Sequence, residues 1–195
     1  MATQADRRAA TQAAILKAAR ALFGNGGFQA TTMDDIAAAA RVAKGAVYHH
    51  FKTKEAVFEA VFEEASRDLV AEIDSLLRAE KDVLTRIAIG TQHYLAACAK
   101  GPTGQIILRD GPAVLGWERW RAIDAQHFGG KIPRALEAAM ERGLIARQPV
   151  QPLARLLLGA MTEAAVACAG AADISEAGAG YSRAFSSLLE AMRVK

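Results

Sequence analysis

Lys44, Tyr48, His49 and His50 fall within seven residues, and Lys52 and Lys54 follow at once. The chain has only four histidines, and two of them sit side by side here. Ammonium, phenol and imidazole groups at this spacing suit hydrogen bonding to an anionic polymer. Lysine can donate to guanine O6 or N7 on a base edge, while Tyr and His donors reach phosphate oxygens. Gly45 and Ala46 have no bulk, so the element that carries them can approach a duplex closely. The bland alternatives are a core aromatic for Tyr48 and a packing or capping role for His50.

The elements that must position these groups are short helices. Val47 and Phe51 are four apart and face inward, which turns Lys44 and Tyr48 outward, with His49 about a hundred degrees round from Tyr48. A preceding helix starts at Thr32, where "TMDD" fits a capping box. Its amides and the Thr32 hydroxyl are available to a phosphate. A tight turn at Ala40-Arg41-Val42 joins the two, giving a helix-turn-helix whose second member enters the major groove. Helix one is predicted over about 5–23, with Ile15, Ala19, Leu22 and Phe23 as its apolar stripe, ended by Asn25-Gly26-Gly27. Thr53 caps a long fourth helix to about Ala79, and Lys54 in its first turn can reach the same DNA backbone.

Charge supports this placement. Residues 1–54 hold eight Lys/Arg and three acidic residues, whereas the remainder holds sixteen and eighteen. A basic end on a slightly acidic body points to a polyanion partner for the first quarter of the chain. With 195 residues, 52% of them hydrophobic, a sizeable core is affordable. Abundant Ala, Leu, Arg and Glu predict an all-α fold of about nine helices, with no strand pattern and no repeat. The fifth helix covers about 83–100, the eighth 152–169 and the ninth 176–192. Between them, 113–140 is mostly helical, with a break or kink at Phe128-Gly129-Gly130 and Pro133. No apolar run suits a bilayer or a signal peptide, so the expected place is the cytoplasm, associated with the nucleoid, with no membrane partner. Cys98 and Cys168 read as reduced, buried thiols.

The span 9–61, "AILKAARALFGNGGFQATTMDDIAAAARVAKGAVYHHFKTKEAVFEAV" at its heart, resembles the DNA-binding domain of TetR-family bacterial transcriptional regulators. The matching features are the "GF-x-x-T-T" entry to helix two, the "D-I-A" within it and the "K-G-x-V-Y-x-H-F-x-x-K-E" run. "ILRDGPAVLGWERWRAID" and "ARLLLGAMTEAAV" are similar to the family's helical effector domains. The resemblance implies a helix-turn-helix domain over 1–53 and a larger effector-binding and dimerisation domain over 54–195, linked by helix four. It implies DNA contacts by Thr32, Lys44, Gly45, Ala46, Tyr48, His49, His50 and Lys54, with His49 near the bases. Two departures stand out. Relatives usually carry Ser or Thr at Ala43, so alanine forfeits about 1 kcal/mol of capping. Relatives often carry Gly at Arg41, so a positive φ there stores about 1–2 kcal/mol.

The implied function is a repressor that binds a palindromic operator as a homodimer through helices eight and nine, released by a small, largely apolar effector. Alternatives are control by a partner protein, control by cysteine oxidation, or activation. Candidate effector contacts are Gln92, His93, Tyr94, Arg109, Trp117 and Trp120, although Trp117 and Trp120 also suit plain core. No cofactor and no metal are expected. No metal-ligand cluster, phosphate-binding glycine loop or nucleophile elbow is present, which argues against an enzyme. Adjacent His49 and His50 diverge on a helix and make a poor metal pair.

Overall fold

The computed structural model describes residues 3–99, 101–128 and 130–194. Among them every regular element is helical. The chain forms two compact units, Met1–Ala65 with Gly101–Trp120, and Ser66–Lys100 with Arg121–Lys195.

In the first unit, α1 (Gln4–Ala30) opens on a reciprocal capping box between Thr3 and Asp6. It runs past the expected stop at Phe23, because Asn25 and Gly26 stay helical. The break comes at Gly27, whose φ of 81° is open to glycine. The break frees the Phe28 amide, which donates to Asp110 Oδ2 at 2.8 Å. Phe28 then turns inward and meets Phe23 and Phe58, with ring centroids 5.3–5.7 Å apart. α2 (Met33–Ala40), α3 (Lys44–His50) and the first part of α4 (Lys54–Leu76) follow. Ile15, Ala19, Phe23, Ile36, Val47, Val57, Phe58 and Phe62 are buried without exposure.

The segment 101–120 completes this unit. It comprises α6 (Gly101–Gly104), a π-helical turn (Gln105–Asp110), α7 (Gly111–Leu115) and the start of α8 (Trp117–Phe128). Glycine permits its close approach. A Cβ at Gly24 would lie 2.4 Å from Pro102 Cβ, and one at Gly111 would lie 2.9 Å from both Phe62 and Trp120. Trp120 is 1% exposed, and its indole donates to the Ile107 carbonyl at 2.8 Å. Arg119 Nε donates to Glu59 at 2.8 Å, tying α8 to α4.

In the second unit, α5 (Val83–Ala99) packs against α9 (Lys131–Glu141), α10 (Val150–Gly170) and α11 (Ile174–Ala191). Leu84, Leu95, Cys98, Leu136, Ala165, Cys168 and Leu189 form its core. Asp82 accepts from the Thr85 amide at 2.8 Å and so caps α5. The same carboxylate takes two bonds from Arg193, at 2.7 and 3.1 Å. Arg193 and Thr85 hold its carboxyl well below the usual carboxylate range.

Gly129 and Lys100, at the expected break and the expected end of helix five, lie outside the described residues. Pro133 does not kink a helix. It sits in the first turn of α9, where its missing amide costs no bond. One expectation is corrected: α10 does have the length and composition to cross a bilayer, despite Arg155 and Glu163. Its Leu157, Met161, Ala164, Ala165 and Cys168 are buried.

Candidate nucleic-acid interface and cavity

The helix-turn-helix is built from local backbone signals. Thr32 caps α2 and is capped in return: its Oγ1 accepts from the Asp35 amide at 3.1 Å, and Asp35 Oδ2 accepts from both the Thr32 amide and hydroxyl. These bonds lower the Asp35 pKa. α2 ends in a left-handed residue, Arg41, with φ 57° and ψ 42°. It is the one non-glycine residue with positive φ among the described residues. α3 begins at Ala43, which makes no side-chain capping bond. Both sequence departures therefore have their expected structural meaning.

Val47 is buried at the centre of α3, and Phe51 seals its end. This turns Lys44, Gly45, Tyr48 and His49 outward. Tyr48 is 40% exposed, so the core reading does not apply to it. A Cβ at Gly45 would meet nothing within 4 Å, so glycine there serves no contact within the protein. Ala46 and His50 are half-buried. Burial, Arg8 and His49 push the His50 pKa below the ordinary histidine value, which favours a neutral ring that donates through N–H.

Two basic residues have partners that the sequence did not foretell. Lys44 Nζ pairs with Asp34 at 2.8 Å, which raises its pKa. Lys54 Nζ donates to the carbonyls of Phe28 and Thr31 at 2.9 and 2.8 Å, and lies 4.1 Å from the Phe28 ring centroid. Lys54 thus pins the α1–α2 corner and sets where the N-terminus of α2 sits. One ammonium proton remains for another acceptor.

The six candidate effector contacts are divided between the two units, Arg109, Trp117 and Trp120 in the first and Gln92, His93 and Tyr94 in the second. Tyr94 and Trp120 are core residues. Trp117 is 52% exposed, with its ring 5.0 Å from that of Trp120. Arg109 is exposed and leans on Gln105 at 3.4 Å. His93 faces Glu72 at 3.4 Å, and Gln92 lines a cavity of about 320 Å³ beside α11. A larger cavity, about 660 Å³, lies within the second unit. Its walls come from the end of α4, the α4–α5 corner, α5, α9 and Met161 of α10. None of the six lines it. Aromatic and histidine side chains drew the sequence reading, whereas this cavity is lined mainly by aliphatic and charged side chains.

Comparison with known proteins adds ancestry to geometry. The family model described as bacterial regulatory proteins, tetR family, matches residues 15–61, and the one described as tetracyclin repressor-like, C-terminal domain, matches residues 84–192. The chain is 24% identical over 159 residues to the transposon Tn10 TetC protein of Escherichia coli, covering 80% of this chain and 79% of that one. It is 30% identical over 168 residues to the A-factor receptor protein of Streptomyces griseus, covering 83% of this chain and 56% of that longer protein. The crystal structure of a TetR-family transcriptional regulator from Pectobacterium atrosepticum matches with a TM-score of 0.87 at 28% identity, covering 100% of this chain and 99% of that one.

Proposed function

The chain belongs to the TetR family of DNA-binding transcriptional regulators, which are not enzymes, and from that membership we propose that it is a repressor working as a two-fold dimer on a palindromic operator. The observation that carries this reading is the outward face of α3, where Lys44, Gly45, Tyr48 and His49 stand exposed on a helix anchored by Val47. In the major groove, Lys44, Ala46 and His49 meet base edges, and Gly45 allows the approach. Tyr48, His50, the first-turn amides of α2 beside Thr32, whose own amide and hydroxyl are taken by Asp35, and the remaining Lys54 proton hold phosphates. On this reading 1–53 reads DNA and 54–195 binds the effector and dimerises.

The dimer uses α10 and α11. Leu156, Val166, Tyr181 and Leu188 on these helices are 40–72% exposed, an apolar set that a second copy covers. The two recognition helices then sit one DNA turn apart, about 34–36 Å, or at a wider spacing. A small effector in the second unit alters that spacing through α4, and by linkage ligand and DNA weaken each other equally. Cysteine oxidation suits control less well, since Cys98 and Cys168 are both buried, and burial pushes the Cys168 thiol pKa up. On this reading the protein works in the cytoplasm, at the nucleoid.

Random-site selection with the purified protein tests the reading. A palindrome is expected, with binding lost on Tyr48→Ala or Lys44→Ala. A single non-repeated half-site, or retention of binding by both variants, overturns it. A promoter fusion then separates repression from activation.

A further inference from the structure

The larger cavity is lined by two chemically different sets of side chains. One is aliphatic, made by Ile73, Leu77, Val83, Ile87, Ile132 and Met161. The other is cationic, with five basic side chains against two acidic ones. Two of the five are already committed. Lys131 Nζ holds both oxygens of Asp74 at 2.7 and 2.8 Å. Arg86 donates to the carbonyls of Leu77 and Glu80 and so closes the α4–α5 corner.

Lys81, at the α4–α5 corner, Arg134 and Arg142 remain. The two arginines lie on α9 and at its C-cap, with Ala135 and Ala138 between them along the cavity lining. At a hundred degrees per residue, positions 131, 134, 135, 138 and 142 fall within about a third of the helix circumference. The alanines leave room between the two long side chains. Neither guanidinium has an acidic partner among the described residues. Arginine stays charged at any physiological pH and matches a carboxylate in bidentate geometry.

We propose that this cavity takes an amphipathic carboxylate, with its hydrocarbon part on the aliphatic side chains and its headgroup between Arg134 and Arg142. A volume of about 660 Å³ is within the range of small-molecule sites. A neutral apolar ligand leaves both guanidiniums unmatched, so the small, largely apolar class expected from the sequence is narrowed to one that carries a carboxylate. A polyanion leaves the aliphatic side chains unmatched and finds two of the five cations spent. The regulatory consequence rests on the reading of this cavity as the effector site; the ligand class does not.

Isothermal titration of the full chain with decanoate, decanol and decylamine tests the proposal. Decanoate is expected to bind at least about tenfold more tightly than decanol, and decylamine more weakly than either, since hydrogen bonds to charged groups are worth a factor of that size. The double variant R134Q/R142Q is expected to lose about tenfold for decanoate, with decanol affinity and helical circular dichroism unchanged. Both arginines are exposed, so the fold does not depend on them. Equal binding of decanol and decanoate, no decanoate binding at millimolar concentration, or an unaffected double variant overturns the proposal. Operator retardation separates the two readings. Decanoate that binds through the arginines without weakening DNA binding upholds the ligand class and overturns the effector reading. Release of DNA by a neutral compound that outcompetes decanoate does the reverse.

Discussion

Arg41 and Asp34 show how single residues tune the reading head. Arg41 holds a left-handed conformation that costs an L-residue about 1–2 kcal/mol, against which glycine loses about 0.5–1 kcal/mol of unfolded-state entropy. Arg41→Gly is therefore expected to stabilise the protein by about 0.5–1 kcal/mol, read as a higher urea midpoint at constant m-value. A lower midpoint would show that the arginine side chain earns its place through contacts. Asp34 pairs with Lys44 on the surface, where both side chains are more than 60% exposed. Such a pair adds little to stability, but it holds an acid beside the proposed phosphate path. Asp34→Asn is expected to shift stability by less than about 0.5 kcal/mol and to tighten operator binding about fivefold at low salt. Unchanged affinity in a retardation titration would show that Lys44 keeps its partner on DNA.

At the level of elements, the local signals were legible and the distant contacts were not. The capping box at Thr32, the turn at Arg41, the uncapped start at Ala43 and the inward Val47 all follow from neighbours in sequence. The return of 101–120 onto α1 does not. Gly101-Pro102 and Asp110-Gly111-Pro112 read as helix breakers, yet Gly24 and Gly111 are glycines because other chain segments press against them. Gly24→Ala is accordingly expected to cost about 1–3 kcal/mol by overpacking against Pro102, measured by thermal unfolding. A neutral result would mean that α6 slides freely. The cavity wall on α9 was present in the sequence as basic residues and alanines at helical spacing, but that pattern also describes an ordinary solvated face.

Asp82 allows a sharper test at this scale, because it both caps α5 and receives Arg193. Asp82→Ala is expected to cost about 1–2 kcal/mol, and Asp82→Asn less, since asparagine keeps the cap and loses only the charge. A carboxylate held below its ordinary value stabilises the fold above about pH 4, and that contribution fades as the pH falls further. The gap between wild type and Asp82→Asn should thus be full at pH 7 and close under acid, as read from denaturation midpoints. A gap independent of pH would assign the loss to packing.

For the whole molecule, the proposed dimer makes the plainest demand. Leu156 and Leu188 are 72% and 49% exposed in a single copy. Leu156→Glu with Leu188→Glu is expected to yield a folded monomer in light scattering, with operator affinity reduced by at least about a hundredfold through loss of the second half-site. A double variant that stays dimeric would move the interface elsewhere.

Both tryptophans of the chain, Trp117 and Trp120, belong to the first compact unit, while the cavity of about 660 Å³ is walled by residues of the second. Neither indole lines that cavity, so a compound seated in it touches no tryptophan of its wall. An emission change on adding a cavity-bound compound would thus report something other than contact between ligand and a lining indole, with titration heat as the independent measure of filling.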